Sequence, residues 1–496
     1  VLAFSRAFAG LCLVHRLKYL PRLARDPGAG VYHARRRLTD AVGRNWRNMG
    51  NIAKRESLGC VELENLVALA LDEARELGVD QAEVAASQDL GLSATARLGD
   101  VESLEYTNDR GIGITVFKNA CKGNASTSDI SPAAIREAVA KAVSFATVTA
   151  PDEYSGLADA ELMCRDVKDL ELDHPWDLDA ETAIAMAIEI EAAGLQCDKR
   201  VSNSEGASVS TNRGSRAYGN THGFVGSYSR TSHSITCVLL AEADGVMQRD
   251  YHYTSARSAH DLDEAAEVGR TAAMKTVARL GARKIKTTRA PVLYVPEIAR
   301  GFIGHAVGAI AGGAQYRRSS FLLDAVGEKL FPEFVNIQER PHLPRAMASA
   351  PYDGEGVATY DRDIVTDGVL QSYILSSYSA RRLGLQTTAN AGGSQNLVVP
   401  GGGKDQDSLM REMGTGLVVT ELIGQGVNGV TGDYSRGAVG YWVENGEIAY
   451  PVHEVTIAGN LRDLYQRIAA IGDDQDTRSS IRCGSILVEE MTIAGA

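Results

Sequence analysis

A chain of 496 residues, at roughly 100–200 residues per domain, predicts two to four folding units and excludes a small disulfide-stapled scaffold. Hydrophobic residues at 44% and charged residues at 23% are ordinary globular usage, which excludes a wholly disordered chain and a coiled coil. The net charge of −12 becomes −20 (41 − 61) over residues 51–496, a charge that repels phosphate backbones and argues against nucleic acid as a partner.

Residues 1–50 carry ten Lys/Arg and only two Asp/Glu. Their apolar run Ala7–Val14 is broken by His15 and Arg16, too short to span a membrane, and no later uncharged run approaches the required length. The segment reads as a disordered basic arm or as sequence ahead of a true start at Met49. A transit peptide is the competing reading, because such peptides are Arg-rich and acid-poor. Residues 1–57 are therefore set apart as a basic arm.

VELENLVALALDEARELG (61–78) predicts an amphipathic helix ending at Gly78. Alternating segments near 82–88, 91–98, 101–107, 111–118 and 121–127 then read as a β-meander. Ser131-Pro132 supplies an N-cap and an N1 proline for the helix AAIREAVAKAVSFA. After a polar connection, a second helix at Ala180–Leu195 precedes strands in SEGASVSTNRGSRAYG, GFVGSYSR, SITCVLLAEADG and VMQRDYHYTSAR, and a helix near 261–280 closes the series. Helix, meander, helix thus occurs twice over 58–289, a duplication at the level of pattern.

The part from 290 to 496 opens with the strand APVLYV, continues into an apolar, Gly-rich helix at Pro296–Gly312, and is then strand-dominated. Glu444–Gly446 reads as a hairpin turn. The expected fold class is α+β in two parts.

Seven cysteines, at 12, 60, 121, 164, 197, 237 and 483, are odd in number and form no CxxC, which points to a reducing compartment, the cytoplasm. GQGVNG (424–429) satisfies GxGxxG, but a dinucleotide site needs a helix after the glycines, and VTGDYSRGAVGYW reads as turn and strand. PGGGKDQD (400–407) lacks the Ser/Thr that follows the lysine of a phosphate loop. GDYSRG has Asp433 where a nucleophile elbow needs glycine. Ser435 is therefore a turn hydroxyl, and Asp433 and Arg436 read equally as a polar cluster or as an exposed salt bridge. No two of the ten histidines lie within five residues of each other, so a helical two-His zinc site is absent. His305, within an apolar helix, reads equally as a buried, hydrogen-bonded histidine or as a functional one.

YTNDRGIGITVF (106–117), GNASTSDISP (123–132), GHAVGAIAGGAQYRRSSFLLD (304–324), the long run 413–452, VTIAGN (455–460) and RCGSIL (482–487) carry a collinear resemblance to the PmbA/TldD metallopeptidase family, on its PmbA or TldE side, from Val61 to the last residue. The resemblance implies a heterodimer whose TldD-type chain carries zinc on an HExxxH helix with a later Cys-Gly as third ligand. Two imidazoles and a thiolate hold the metal with an open position, and the Glu serves as general base. Aligned on AVG, this chain has Gly304 at the first His, His305 at the Glu and Ala309 at the second His. Cys483, before Gly484, falls at the third ligand, either as a remnant or, the preferred reading, as a small buried residue in a tight strand turn.

The resemblance therefore implies that this chain binds no metal and completes a peptide-degrading chamber whose zinc sits in the TldD-type partner. Implied substrates are short or unfolded peptides, including peptide-antibiotic leaders and labile antitoxins. Separately from the resemblance, strand addition to an exposed sheet edge, which needs little sequence specificity, suits so strand-rich a chain as the way to hold them. Two rivals remain. An autonomous metallopeptidase would draw ligands from His305, Cys483 and His453, whose spacing gives it no support. A non-enzymatic modulator would follow the family's association with DNA gyrase.

Overall fold

The computed structural model describes residues 57–495; the basic arm, but for its last residue, lies outside them, as do the Met49 boundary and the transit-peptide reading. The fold is α+β. Helix α1 (Cys60–Glu76) leads into β1 (Gln81–Arg97), β2 (Asp100–Lys118) and β3 (Cys121–Thr127), followed by α2 (Pro132–Ala146). The same order returns as α3 (Ala180–Leu195), β4 (Val201–Asn220), β5 (Val225–Ala243), β6 (Val246–Ala256) and α4 (Ala265–Ala278). The six strands form one antiparallel sheet in the order β3-β2-β1-β4-β5-β6, so the two meanders abut through β1 and β4.

Alternation decides which face is covered. Strand β1 buries Ala82, Val84, Ala86, Leu92, Ala94 and Ala96. At one end Val84, Ile112 and Ile114 pack against Leu63 and Val67 of α1 and Ile135 and Val139 of α2. At the other, Ile235, Cys237 and Leu239 pack against Ile190 of α3 and Val268 and Ala272 of α4.

The meander has fewer and longer strands than its sequence suggests. Residues 89–90 and 108–110 read as breaks, yet both stretches stay in register, Asp89 opposite Asp109 and Gly214, Leu90 opposite Asn108 and Arg213. The chain reverses instead at Leu98-Gly99 and Asn119-Ala120, where all four residues take positive φ, as tight hairpin turns require.

Helices α3 and α4 meet at glycines. A Cβ on Gly269 would stand 2.0 Å from the Ile190 carbonyl oxygen, so Gly269→Ala must push the helices apart. The expected loss is about 1–3 kcal/mol, read as a lowered midpoint in thermal unfolding.

The second half is built on a closed sheet. Strands β7 (Thr288–Tyr294), β12 (Gly416–Ile423), β13 (Asp433–Glu444), β14 (Glu447–Asn460) and β17 (Ile486–Ala494) form a barrel because β17 pairs with both β7 and β14, with β15 (Ile468–Ile471) on its margin. Asn445 and Gly446, both at positive φ, make the β13–β14 hairpin. A five-stranded sheet of short segments, β8 (Ile337–Glu339), β9 (Arg362–Thr366), β10 (Val369–Leu370), β11 (Leu397–Val398) and β16 (Ile481–Arg482), lies beside it. Helix α5 (Pro296–Ala309) runs straight out of β7, α6 (Gly312–Tyr316) follows, α7 (Ser377–Leu383) and α8 (Gln406–Met413) lie in the connections, and α9 (Leu461–Gln466) follows β14.

Arginines hold the two halves together. Arg257 donates to Met347 O (2.5 Å) and Arg478 to Tyr253 O (2.7 Å), while Arg381 reaches Leu157 O. Arg279 pairs with Glu421 at 2.6 Å. No helix among the described residues is long and apolar enough to cross a membrane.

Candidate functional site

Helix α5 is where the implied metal motif falls. Pro296 starts it at a position that needs no N–H donor. Ala299, Phe302, Ile303 and Ala306 turn to the core, where the Phe302 ring stacks on Tyr294 at 5.2 Å and meets Tyr465 edge-on at 5.0 Å. The opposite side carries Gly301, Gly304, His305 and Gly308, spaced as neighbours on one helical face. That side is open: a Cβ at 301 or 308 would meet nothing within 4 Å, and one at 304 only the Ile481 Cδ1 at 3.6 Å.

His305 is half-buried, its ring edge-on to Tyr434 at 5.9 Å. Its ring nitrogens make no hydrogen bond to a described residue. The rings of His174, His233, His252 and His342, by contrast, all have partners. Arg436 follows Tyr434 by two residues and so shares its face of β13. Among the described residues no carboxylate lies within ion-pair distance of it, and its one hydrogen bond is a long 3.5 Å contact from Nε to Ile423 O.

Burial first, and the Arg436 charge second, hold the His305 imidazole below its ordinary 6.5. A base whose folded pKa is depressed binds fewer protons folded than unfolded, so its contribution to stability is present above 6.5 and lost as pH falls below it. Arg436→Gln should therefore raise the His305 pKa toward 6.5 without fully restoring it, as followed by NMR titration of the imidazole Cε1 proton. An unchanged or lower value would show that the guanidinium does not face the ring.

The other implied positions do not converge on this face. Five residues turn a regular helix by about 140° beyond one full turn, so Ala309 looks into the core, 6% exposed. Its carbonyl ends the helix by accepting Gln315 Nε2 and Ser320 Oγ, both at 2.7 Å. The residue one turn along from Gly304 is Gly308. Cys483 follows β16 and is fully buried, its thiol pushed up to about 12 mainly by burial; from that segment it is Ile481 that reaches Gly304. His453 lines a different cleft of about 500 Å3, with Arg249, Arg279 and Glu421. Among the described residues no three His, Cys, Asp or Glu side chains cluster as a metal site would require, so this donor set does not fit a zinc ion.

The loop motifs resolve as connections. GQGVNG joins two strands, with no helix after it. Lys404 of PGGGKDQD pairs with Glu412 and Asp405 caps α8. Ser435 is exposed, its amide bonded to Gly426 O. The expected Asp433–Arg436 salt bridge does not form: three residues apart on a strand they point to opposite faces, and Asp433 accepts from Thr431 and Asn460 instead. The meeting of Arg436, Tyr434 and His305 went unread in the sequence. Its traces there are glycines at −4, −1 and +3 from the histidine and a Tyr-x-Arg on a strand.

Three family models match the chain in order: PmbA/TldA metallopeptidase domain 1 over residues 82–146, central domain over 173–280, and C-terminal domain over 287–495. The chain is 49% identical to Metalloprotease PmbA of Escherichia coli O157:H7 over 87% of its own length and 96% of the relative's, and 47% identical to a Metalloprotease PmbA homolog of Haemophilus influenzae over 88% and 96%. A crystal structure from Bacteroides thetaiotaomicron, named for a proposed modulator of DNA gyrase, superposes with a TM-score of 0.83 at 27% identity, covering 87% of this chain and 98% of that one. TldE from Thermococcus kodakarensis shares the fold at a TM-score of 0.75 and 20% identity, covering 87% and 99%.

Proposed function

The chain belongs to the PmbA/TldD metallopeptidase family, and we propose that within it this chain is the TldE-type subunit, which binds no catalytic zinc and acts with a TldD-type, zinc-bearing partner. One observation carries this reading: where the family's metal helix would present two imidazoles, α5 presents Gly304 on an open face and Ala309 in the core, and the thiol of Cys483 is enclosed. A lone half-buried imidazole cannot hold a metal with an open coordination position. The zinc chemistry is thus assigned to the partner, and this chain's part is to complete the chamber and handle short or unfolded peptides. The six described cysteines are all unpaired, which suits the proposed cytoplasmic setting. The −20 charge of residues 51–496 favours this reading over direct contact with DNA.

The experiment is metal content and casein hydrolysis of the purified chain, alone and mixed with a TldD-type chain. No zinc and no hydrolysis alone, with hydrolysis in the mixture, is the expected result. A chelator should abolish hydrolysis by the mixture while leaving the unfolding temperature of this chain unchanged. Stoichiometric zinc and hydrolysis by this chain alone would sink the reading.

A further inference from the structure

We propose that Arg436 and His305 form a carboxylate-binding subsite over the open face of α5, which takes the free C-terminal carboxylate of a short peptide. Arg436 has no carboxylate partner among the described residues and only the 3.5 Å contact to Ile423 O. Both ring nitrogens of His305 lack a described partner, while its ring is positioned by the edge contact with Tyr434. Arg436 is partly exposed and holds no fixed counter-charge among the described residues, so an anion that joins it gains a charge-assisted partner without displacing one.

Three further features select the ligand. The guanidinium fork matches the two oxygens of a carboxylate, and the neutral imidazole offers one N–H donor beside it. Gly301 and Gly308 leave their part of the helix surface clear, with Ile481 as a wall 3.6 Å from the Cβ position of Gly304, so a ligand backbone can approach the helix beside that wall. A closed phosphate cradle would instead show a helix N-terminus or a nest of backbone N–H groups, and His305 lies in the second half of α5. The choice of a peptide as the source of the carboxylate rests on the function proposed above; the anion chemistry does not.

The test uses the full chain alone, with acetyl-tetraalanine as the free acid, the same peptide as its C-terminal amide, and inorganic phosphate as probes. Binding is followed by calorimetry and by the His305 Cε1 proton, assigned through His305→Gln. The acid should bind at least about tenfold more tightly than the amide and shift the His305 resonance, Arg436→Gln should abolish that preference, and Arg436→Lys should keep part of it. Equal binding of acid and amide, a preference that survives Arg436→Gln, or binding of phosphate without any preference for the acid would each overturn the proposal. No zinc or hydrolysis enters this measurement, so an acid preference alongside an inactive mixture would remove the proposed function and leave the subsite standing.

Discussion

Replacing Arg362 by methionine (Arg362→Met) is expected to cost about 3–5 kcal/mol of folding stability. The side chains of Arg362 and Glu339 are 9% and 1% exposed and pair at 2.7 Å. The remaining guanidinium protons go to Ser372 Oγ, Tyr373 O and Asn390 Oδ1, and the second oxygen of Glu339 accepts Asn390 Nδ2 and Gln395 N. Every polar group in this cluster has a partner, so removing the cation leaves a buried carboxylate without its charge compensation. Denaturant unfolding of the single variant and of Arg362→Met with Glu339→Gln separates lost packing from an uncompensated charge. The double variant should recover part of the loss. A single-variant loss under about 1 kcal/mol would place the pair in the class of exposed bridges. Because β8 and β11 connect this cluster to β16, the wall that Ile481 presents to α5 should loosen with it.

The second large effect is expected at Asp353, only 3% exposed. One carboxylate oxygen accepts the amides of Glu355 (2.9 Å) and Val357 (3.0 Å), the other that of Ala391 (2.9 Å). Asp353→Ala strands the buried Val357 amide at about 1–3 kcal/mol and removes the acceptor of two half-buried amides, Glu355 and Ala391, at about 0.5–1.5 kcal/mol each, a loss of about 2–6 kcal/mol. It also frees the neighbouring Tyr352, whose hydroxyl donates to Gly226 O at 2.8 Å and whose ring meets Phe224 and Tyr228 edge-on, where the first sheet touches the second half. Hydrogen exchange should show lost protection at 355, 357 and 391 while β7 and β12 keep theirs; unchanged protection at those three amides would contradict the account. Burial and Glu355 outweigh the amide donors and push the Asp353 carboxyl up to about 7. An acid with a raised folded pKa stabilises most below its unfolded pKa, so this contribution is lost as pH rises from about 4 to about 7. The wild type should show that decline and Asp353→Ala should lack it.

The sequence revealed helices better than strand lengths, for a local reason. The caps of α2 and α3, Ser131 and Asp179, bond the amides of Ala134 and Thr182, contacts between residues three apart that any window contains. Whether a strand breaks at residues 89–90 depends on residues 108–109 and 213–214, which no window contains. The open face of α5 was likewise half visible. Its glycines show in the spacing, but Arg436 lies 131 positions after His305, and β13 is tied to the strand that leads into α5 through β12, which pairs with both β7 and β13. Neither the salt bridge nor the polar cluster open for Asp433 and Arg436 forms, because a strand sends side chains at odd spacing to opposite faces.

Closure of the barrel by β17 also sets an order of events during synthesis. The first sheet takes all its strand pairings from residues 81–256, and its four helices end by residue 278, so its hydrogen-bonded frame is complete in sequence while the rest is still being made. Strand β7 has β12 beside it on one side, but its other neighbour is β17, which ends at residue 494. At ~5–20 residues per second, the roughly two hundred intervening residues take about 10–40 s to emerge. Over that interval Val292 and Tyr294 have no complete barrel around them and β7 lacks β17, while β14, which ends at residue 460, offers its own unpaired edge to any neighbouring chain only until the chain reaches residue 494, about 2–7 s. The second half is thus the segment that newly made chains should present to holding chaperones, and its release depends on the arrival of nine residues near the end of the sequence.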